Sequence, residues 1–222
     1  MSKSAIVLGA TGLTGSLLLK ELLADEYFSK VILFSRSSAR IKHAKIEEHL
    51  IDVLDLCDHK EKFKADVVFC CIGTTKKKTP DQNMYQKIDV GIPHAAALIA
   101  KENDIPRFIV ISAMGANTKS SIFYNRIKGE MEEKVLNQQV KYTYILRPSL
   151  ITGVRSERRT GEKLAIYLFK VLDYLMLGPL KKYRSIPAKE IVNAMLVLSQ
   201  SNQSSALIDS SEIKNLSKKI GD

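Results

Sequence analysis

The sequence predicts an α/β fold: a doubly wound parallel sheet of the Rossmann type, covered by helices on both faces. Three observations carry this. Short apolar, β-rich runs alternate with helical stretches over the first two-thirds of the chain. The runs are apolar throughout rather than at every second residue, as strands buried on both sides require. The first run also passes directly into a glycine-rich turn and a leucine-rich helix, the opening of a βαβ unit.

Taken in order, strands are expected at Ala5–Leu8, Val31–Phe34, His49–Ile51, Asp66–Ile72, Phe108–Ile111 and Tyr142–Leu146. Helices are expected at Gly12–Ala24, Asp81–Glu102, Ser121–Asn137, Gly161–Leu177 and Lys189–Leu198, where apolar residues recur at helical spacing. No repeat or low-complexity linker divides the chain. One domain over residues 1–222 is expected, with residues 150–222 adding a small substrate-side, C-terminal elaboration. The run Leu164–Leu177 is shorter than the roughly 20 residues a spanning helix needs. Lys170 and Asp173 interrupt it, so a helix roofing the substrate side is expected there and no membrane span.

Composition narrows the class. Hydrophobic residues make up 45% and charged residues 26%, the balance of a globular protein with a sizeable core. The three cysteines, Cys57, Cys70 and Cys71, form no disulfide pattern, and the adjacent pair should face opposite sides of its strand. Reduced core thiols, together with a glycine turn that begins at residue 9 and leaves no room for a secretory signal, imply a cytoplasmic protein. The net charge is +10, from 34 basic against 24 acidic residues. Only Lys76–Lys78 and the stretch Lys181-Lys-Tyr-Arg184 are basic runs, and neither carries stacking aromatics or a nucleic-acid motif. Specific nucleic-acid binding is therefore not expected, and an anionic cofactor or substrate is sufficient use for the excess. The four histidines and three cysteines lack metal-ligand spacing, so no metal site is expected.

The turn Gly9-Ala-Thr11-Gly12-Leu13-Thr14-Gly15 carries the first function. Gly9 permits the tight turn, Gly12 lets the backbone approach a phosphate, and Gly15 allows the helix to pack on the strand. The free N–H groups and dipole of the helix N-terminus then favour a dinucleotide pyrophosphate. A carboxylate that would bind a free ribose 2′-hydroxyl is missing after the second strand, which ends Ser35-Arg36-Ser-Ser-Ala-Arg40. Arginine there can hold a 2′-phosphate, so NADP(H) is expected over NAD(H). Asp52, with Val53 beside it, stands where an adenine amino group would be met. Cys71-Ile72-Gly73-Thr74 would line the cofactor.

Ser112 closes the fifth strand, Tyr124 follows twelve residues later and Lys128 four after that. On a helix, the last two share a face, and an ammonium beside a phenol stabilises its phenolate, making a usable general acid or base. With the glycine turn and Arg147-Pro148-Ser149-Leu150-Ile-Thr-Gly153, this combination resembles the short-chain dehydrogenase/reductase superfamily. Cys70-Cys-Ile-Gly-Thr-Thr75, the Ser112–Ser121 stretch, Tyr124…Lys128-Gly-Glu130, Arg158–Glu162 and Ile186-Pro-Ala…Leu196 are similar to its atypical group around the Tat-interacting oxidoreductase-like protein.

That resemblance implies an NADPH-dependent oxidoreductase acting on a small carbonyl compound or alcohol. Tyr124 would exchange the proton, Lys128 would hold the nicotinamide ribose and Ser112 would bond the reacting oxygen. The backbone at Pro148, Ser149 and Leu150 would orient the nicotinamide. Two other roles use the same residues: an NADP(H)-responsive protein that recruits a regulatory partner, and a nucleotide-sugar epimerase. A homodimer is compatible with all three.

Overall fold

The computed structural model describes residues 2–153, 184–204 and 206–220. The expected helix Gly161–Leu177 and most of the basic run at Lys181 lie outside them.

Strand β1 (Lys3–Leu8) runs into α1 (Leu13–Ala24), β2 (Phe28–Ser35) and β3 (Ile46–Leu50), followed by a kinked 3₁₀ segment, Val53–Lys62. Next come β4 (Val67–Cys70), the short helix α2 (Gln82–Gln86), a π-helical turn (Lys87–Gly91) and α3 (Ile92–Glu102). Strand β5 (Arg107–Ile111), α4 (Phe123–Leu136), β6 (Tyr142–Arg147) and β7 (Ile151–Thr152) follow. The chain continues with β8 (Ile186–Pro187), α5 (Ala188–Ser199), β9 (Ala206–Asp209) and α6 (Ser210–Ser217).

Seven strands form one sheet in the order β3-β2-β1-β4-β5-β6-β9, and every pairing is parallel. β7 and β8 make a separate parallel pair. The order reverses between β1 and β4, and such a switch opens a crevice beyond the strand carboxyl ends. The predicted doubly wound Rossmann architecture is therefore the one observed.

Strand residues alternate between two cores. Ala5, Val7 and Phe69 pack with α1, α5 and α6, whereas Ile6, Leu8, Val68 and Cys70 pack with α3, α4 and the 3₁₀ segment. Cys71 packs against the first core and Cys70 lies in the second, so the adjacent thiols face opposite ways as expected. Burial pushes the Cys70 thiol up to about 11, which keeps it protonated and unreactive.

Three elements depart from the sequence expectation. β3 begins at Ile46 rather than His49; its exposed edge carries Glu47, Glu48 and His49, so no continuous apolar run marks it. The helix expected over Asp81–Glu102 is broken by the π turn at Lys87–Gly91. β9 was absent from the expected strands because its four residues, Ala-Leu-Ile-Asp, are too few to show a period. It nevertheless pairs with β6 in the main sheet, so residues 186–217 add a strand and two helices to the body of the fold.

The loop after β5 is clamped on α4 at Gly129. A Cβ there would lie 2.4 Å from the Thr118 backbone nitrogen and 2.5 Å from the Asn117 carbonyl carbon, closer than backbone can yield. Gly129→Ala is expected to destabilise the fold by about 2–3 kcal/mol through overpacking, measured as a shift in the urea unfolding midpoint.

Candidate active site

The glycine turn is built by exclusion of side chains. Gly9 has φ +82°, and a Cβ there would meet the Cys71 carbonyl oxygen at 2.8 Å. At Gly15 a Cβ would stand 2.1 Å from the Gly9 oxygen, so helix and turn can meet only through glycine. Gly12, exposed, caps α1; the first turn of the helix holds no acidic residue and no side chain caps it. The helix end is left with donors and dipole unopposed, which fits a dinucleotide pyrophosphate. Thr11 is exposed, Leu13 half-buried and Thr14 buried. A Cβ on Gly153 would meet Leu13 Cδ1 at 2.9 Å, so the segment after β6 is packed directly on this turn.

At the end of β2, the Ser35 hydroxyl donates to the Ser37 carbonyl at 2.9 Å, and the Ala39 N–H donates to Glu48 at 2.8 Å. Arg40 adopts a left-handed backbone with φ 55°. Arg36 and Arg40 are both exposed, and neither forms an ion pair among the described residues. Two free guanidinium groups on a loop tied to β3 suit a phosphate. Asp52 caps the 3₁₀ segment by accepting the Leu54 N–H at 3.0 Å. Val53 beside it is buried and Asp52 is exposed.

The third part is a buried ion pair that spacing alone does not reveal. Lys128 Nζ lies 2.9 Å from Asp89 Oδ1, the two side chains being 5% and 1% exposed. The other Asp89 oxygen accepts the Thr74 N–H at 2.7 Å. Burial pulls the Lys128 ammonium toward neutrality, but the Asp89 carboxylate outweighs it and its pKa is raised. Asp89 lies within the π turn, on the buried side that it shares with Tyr85 before it and Ile92, Pro93 and Ala96 after it. A Cβ on Gly73 would lie 3.7 Å from Asp89 Oδ1 and 3.8 Å from Lys128 Nζ, so both charged atoms come up beneath a residue that has no side chain.

Tyr124, on the same helix as Lys128, is 42% exposed, and its phenol is an electrostatic neighbour of that ammonium. Tyr85 is buried, donates to the Thr74 carbonyl at 3.3 Å and packs edge-on to Phe123 with ring centroids 5.4 Å apart. Burial, then the Asp89 charge, pushes its phenol up, so the accessible phenol of the site is that of Tyr124.

Ser112 departs from the role the resemblance implies. Its buried hydroxyl donates to Glu132 Oε1 at 2.5 Å, and the Arg147 guanidinium grips both oxygens of that carboxylate. A serine has a single O–H, and here Glu132 receives it. The Pro148 carbonyl accepts the Met114 N–H at 2.9 Å. Ser149 donates to the Arg184 carbonyl at 2.5 Å and accepts from Ser210 at 3.0 Å. Leu150 is exposed. Cys71 and Ile72 are half-buried at the end of β4, directly against Gly9. From the sequence Asp89 reads either as facing the cofactor ribose region or as a helix-surface carboxylate, and Glu132 only as an acid on a helix.

The family model described as NAD(P)H-binding matches residues 9–165. The chain belongs to the NAD(P)H-binding family. Protein HTATIP2 of Rattus norvegicus is 32% identical over 98% of this chain and 90% of its own length. Protein FMP52-1, mitochondrial, of Scheffersomyces stipitis is 34% identical over 83% of this chain and 78% of its own. Protein FMP52, mitochondrial, of Eremothecium gossypii is 29% identical over 97% of both.

Among solved structures, the Bordetella bronchiseptica enzyme WbmG in complex with NAD superposes with a TM-score of 0.71 at 13% identity, over 100% of this chain and 79% of its own. WbmH in complex with NAD+ gives 0.72 at 15%, over 99% and 81%. At such identities the likeness is one of fold. The family resemblance drawn from the motifs is borne out by the family model and by the likeness to HTATIP2. The cytoplasmic expectation is overturned by the mitochondrial naming of the fungal relatives. Thiols that stay reduced separate oxidising from reducing compartments and do not separate one reducing compartment from another.

Removing one charge from the Lys128–Asp89 pair strands the other in the core. Asp89→Asn is expected to cost about 3–5 kcal/mol near neutral pH. Because the Lys128 pKa is raised above its ordinary 10.5, the contribution of the pair is complete below that pH and is lost as pH rises through the folded value. Chemical denaturation from neutral pH upward should therefore show the gap between wild type and variant holding until the alkaline range and narrowing there.

Proposed function

We propose that this protein is an NADPH-dependent oxidoreductase that reduces a small carbonyl compound, or runs the reverse oxidation of an alcohol, with Tyr124 as the proton-exchanging group. The observation that carries the reading is the exposed Tyr124 phenol beside a lysine held buried and charged by Asp89. When bound, NADPH supplies a hydride from its nicotinamide ring to the carbonyl carbon. Tyr124 gives its hydroxyl proton to the carbonyl oxygen, and the Lys128 ammonium stabilises the phenolate left behind. Lys128 has three N–H donors, and those not given to Asp89 serve the ribose hydroxyls. Ser112 enters as a positioning residue, fixing Glu132 and, through it, Arg147 ahead of Pro148.

The glycine turn holds the pyrophosphate, and Arg36 with Arg40 holds the 2′-phosphate that distinguishes NADPH from NADH. Asp52 and Val53 bound the adenine, while Cys71, Ile72, Gly73 and Thr74 form the cofactor-facing edge of β4. Pro148, Ser149 and Leu150 orient the nicotinamide. The FMP52 relatives add a mitochondrial setting to this reading.

Side-by-side calorimetric titration tests the cofactor. NADPH is expected to bind tighter than NADH, and Arg36→Ala to weaken NADPH by roughly 10- to 100-fold, the worth of a charged hydrogen bond, while leaving NADH unchanged. Equal loss for both would remove the phosphate role. Tyr124→Phe tests the chemistry: NADPH affinity should persist while carbonyl reduction falls by roughly 10²- to 10⁴-fold. Undiminished turnover in that variant would refute the mechanism.

A further inference from the structure

The cofactor's negative charges are accounted for at the ends of β1 and β2, yet a second basic group stands on the other side of the sheet's switch. Lys76, Lys77 and Lys78 are consecutive, exposed and without an ion pair among the described residues. They sit on a turn, not a loose loop. The N–H groups of Lys78 and Thr79 both donate to the Thr75 carbonyl at 2.9 Å, and the Thr74 and Thr79 hydroxyls meet at 2.8 Å.

The root of that turn is part of the reactive cluster. Thr74 donates its N–H to Asp89, and its carbonyl receives Tyr85, whose ring packs on Phe123 beside Tyr124. The Arg126 guanidinium lies over the same Phe123 ring, 5.7 Å from its centroid. Of the nearby acids, Asp89 is offset by Lys128, whereas Asp81 caps Met84 and Glu130 accepts from Gln86, both keeping their charge, and none of the three pairs with these lysines. The three lysines therefore stand without ion pairs on a turn whose root, Thr74, is tied to Asp89 and Tyr85 at the edge of the reactive cluster.

We propose that the Lys76–Lys78 turn is an anion subsite that selects carbonyl substrates carrying a carboxylate or phosphate. The proposal rests on the reading of Tyr124 as the mark of the substrate side. Three ammonium groups held on a tied turn raise the local concentration of an anion beside the reactive cluster, an effect that salt screens.

The test compares 4-carboxybenzaldehyde with benzaldehyde, using NADPH, in wild type and in the triple variant Lys76→Gln, Lys77→Gln, Lys78→Gln. These side chains are exposed, so the variant is expected to fold. At low ionic strength the wild type should favour the carboxylated aldehyde about tenfold in kcat/KM. The preference should fall to about twofold or less in the variant or at high salt, with NADPH affinity unchanged. A preference the variant retains, or a variant that loses NADPH affinity instead, overturns the subsite. Calorimetry with 4-(hydroxymethyl)benzoate and benzyl alcohol on the NADP-loaded protein separates the two readings. If neither aldehyde is reduced, the oxidoreductase reading fails. Lysine-dependent binding of the carboxylate would still support the subsite, and equal binding of both alcohols would sink it.

Discussion

One buried charge pair organises this molecule's working edge. Asp89 comes from the π turn, Lys128 from the middle of α4, and the Thr74 N–H from the end of β4. None of the three elements could bury its polar group without the others, since an ion taken from water unpaired is costly. The pair fixes where α4 lies against the sheet, and with it where the Tyr124 phenol emerges. A Cβ at Gly73 would stand in ordinary van der Waals contact with both charged atoms, so the pair lies just beneath the segment that follows β4 while water has little access to it.

Around that pair the two halves of the crevice divide the labour. The β1–β2 side offers backbone donors and unpaired arginines in a geometry that only glycine permits. The β4–β5 side offers titratable groups in graded surroundings. Tyr85 is buried and kept neutral, Lys128 is buried and kept charged, and Tyr124 stands at the boundary where a ligand can touch it. Two phenols and one ammonium thus acquire different tasks from burial and hydrogen bonding alone.

The sequence made much of this legible where chemistry and local geometry coincide. The glycine turn could be read because its three glycines fall within seven residues directly between a strand and a helix. Tyr124 and Lys128 could be paired because helical spacing is fixed. What stayed hidden depended on contacts far apart in the chain. Asp89 reads equally as a group facing the cofactor ribose and as a helix-surface carboxylate, because its partner Lys128 lies thirty-nine residues away. Ser112 looked free to meet a substrate because Glu132, twenty residues on, could be seen only as one acid among several on α4. Edge strands β3 and β9 were blurred or missed for a related reason: half-exposed strands need no continuous apolar run, and four residues carry no period.

The Glu132 carboxylate touches the serine that ends β5 and the arginine that ends β6, while itself riding on α4. It works as a keystone between two strand tips and the helix beside them. Because Arg147 leads directly into Pro148, the segment that would steer the ring of the coenzyme shares one rigid frame with the helix that bears the acid. The tips of β5 and β6 and the helix α4 are thereby braced by the same carboxylate, and a sideways slip of either strand tip would be transmitted to the helix.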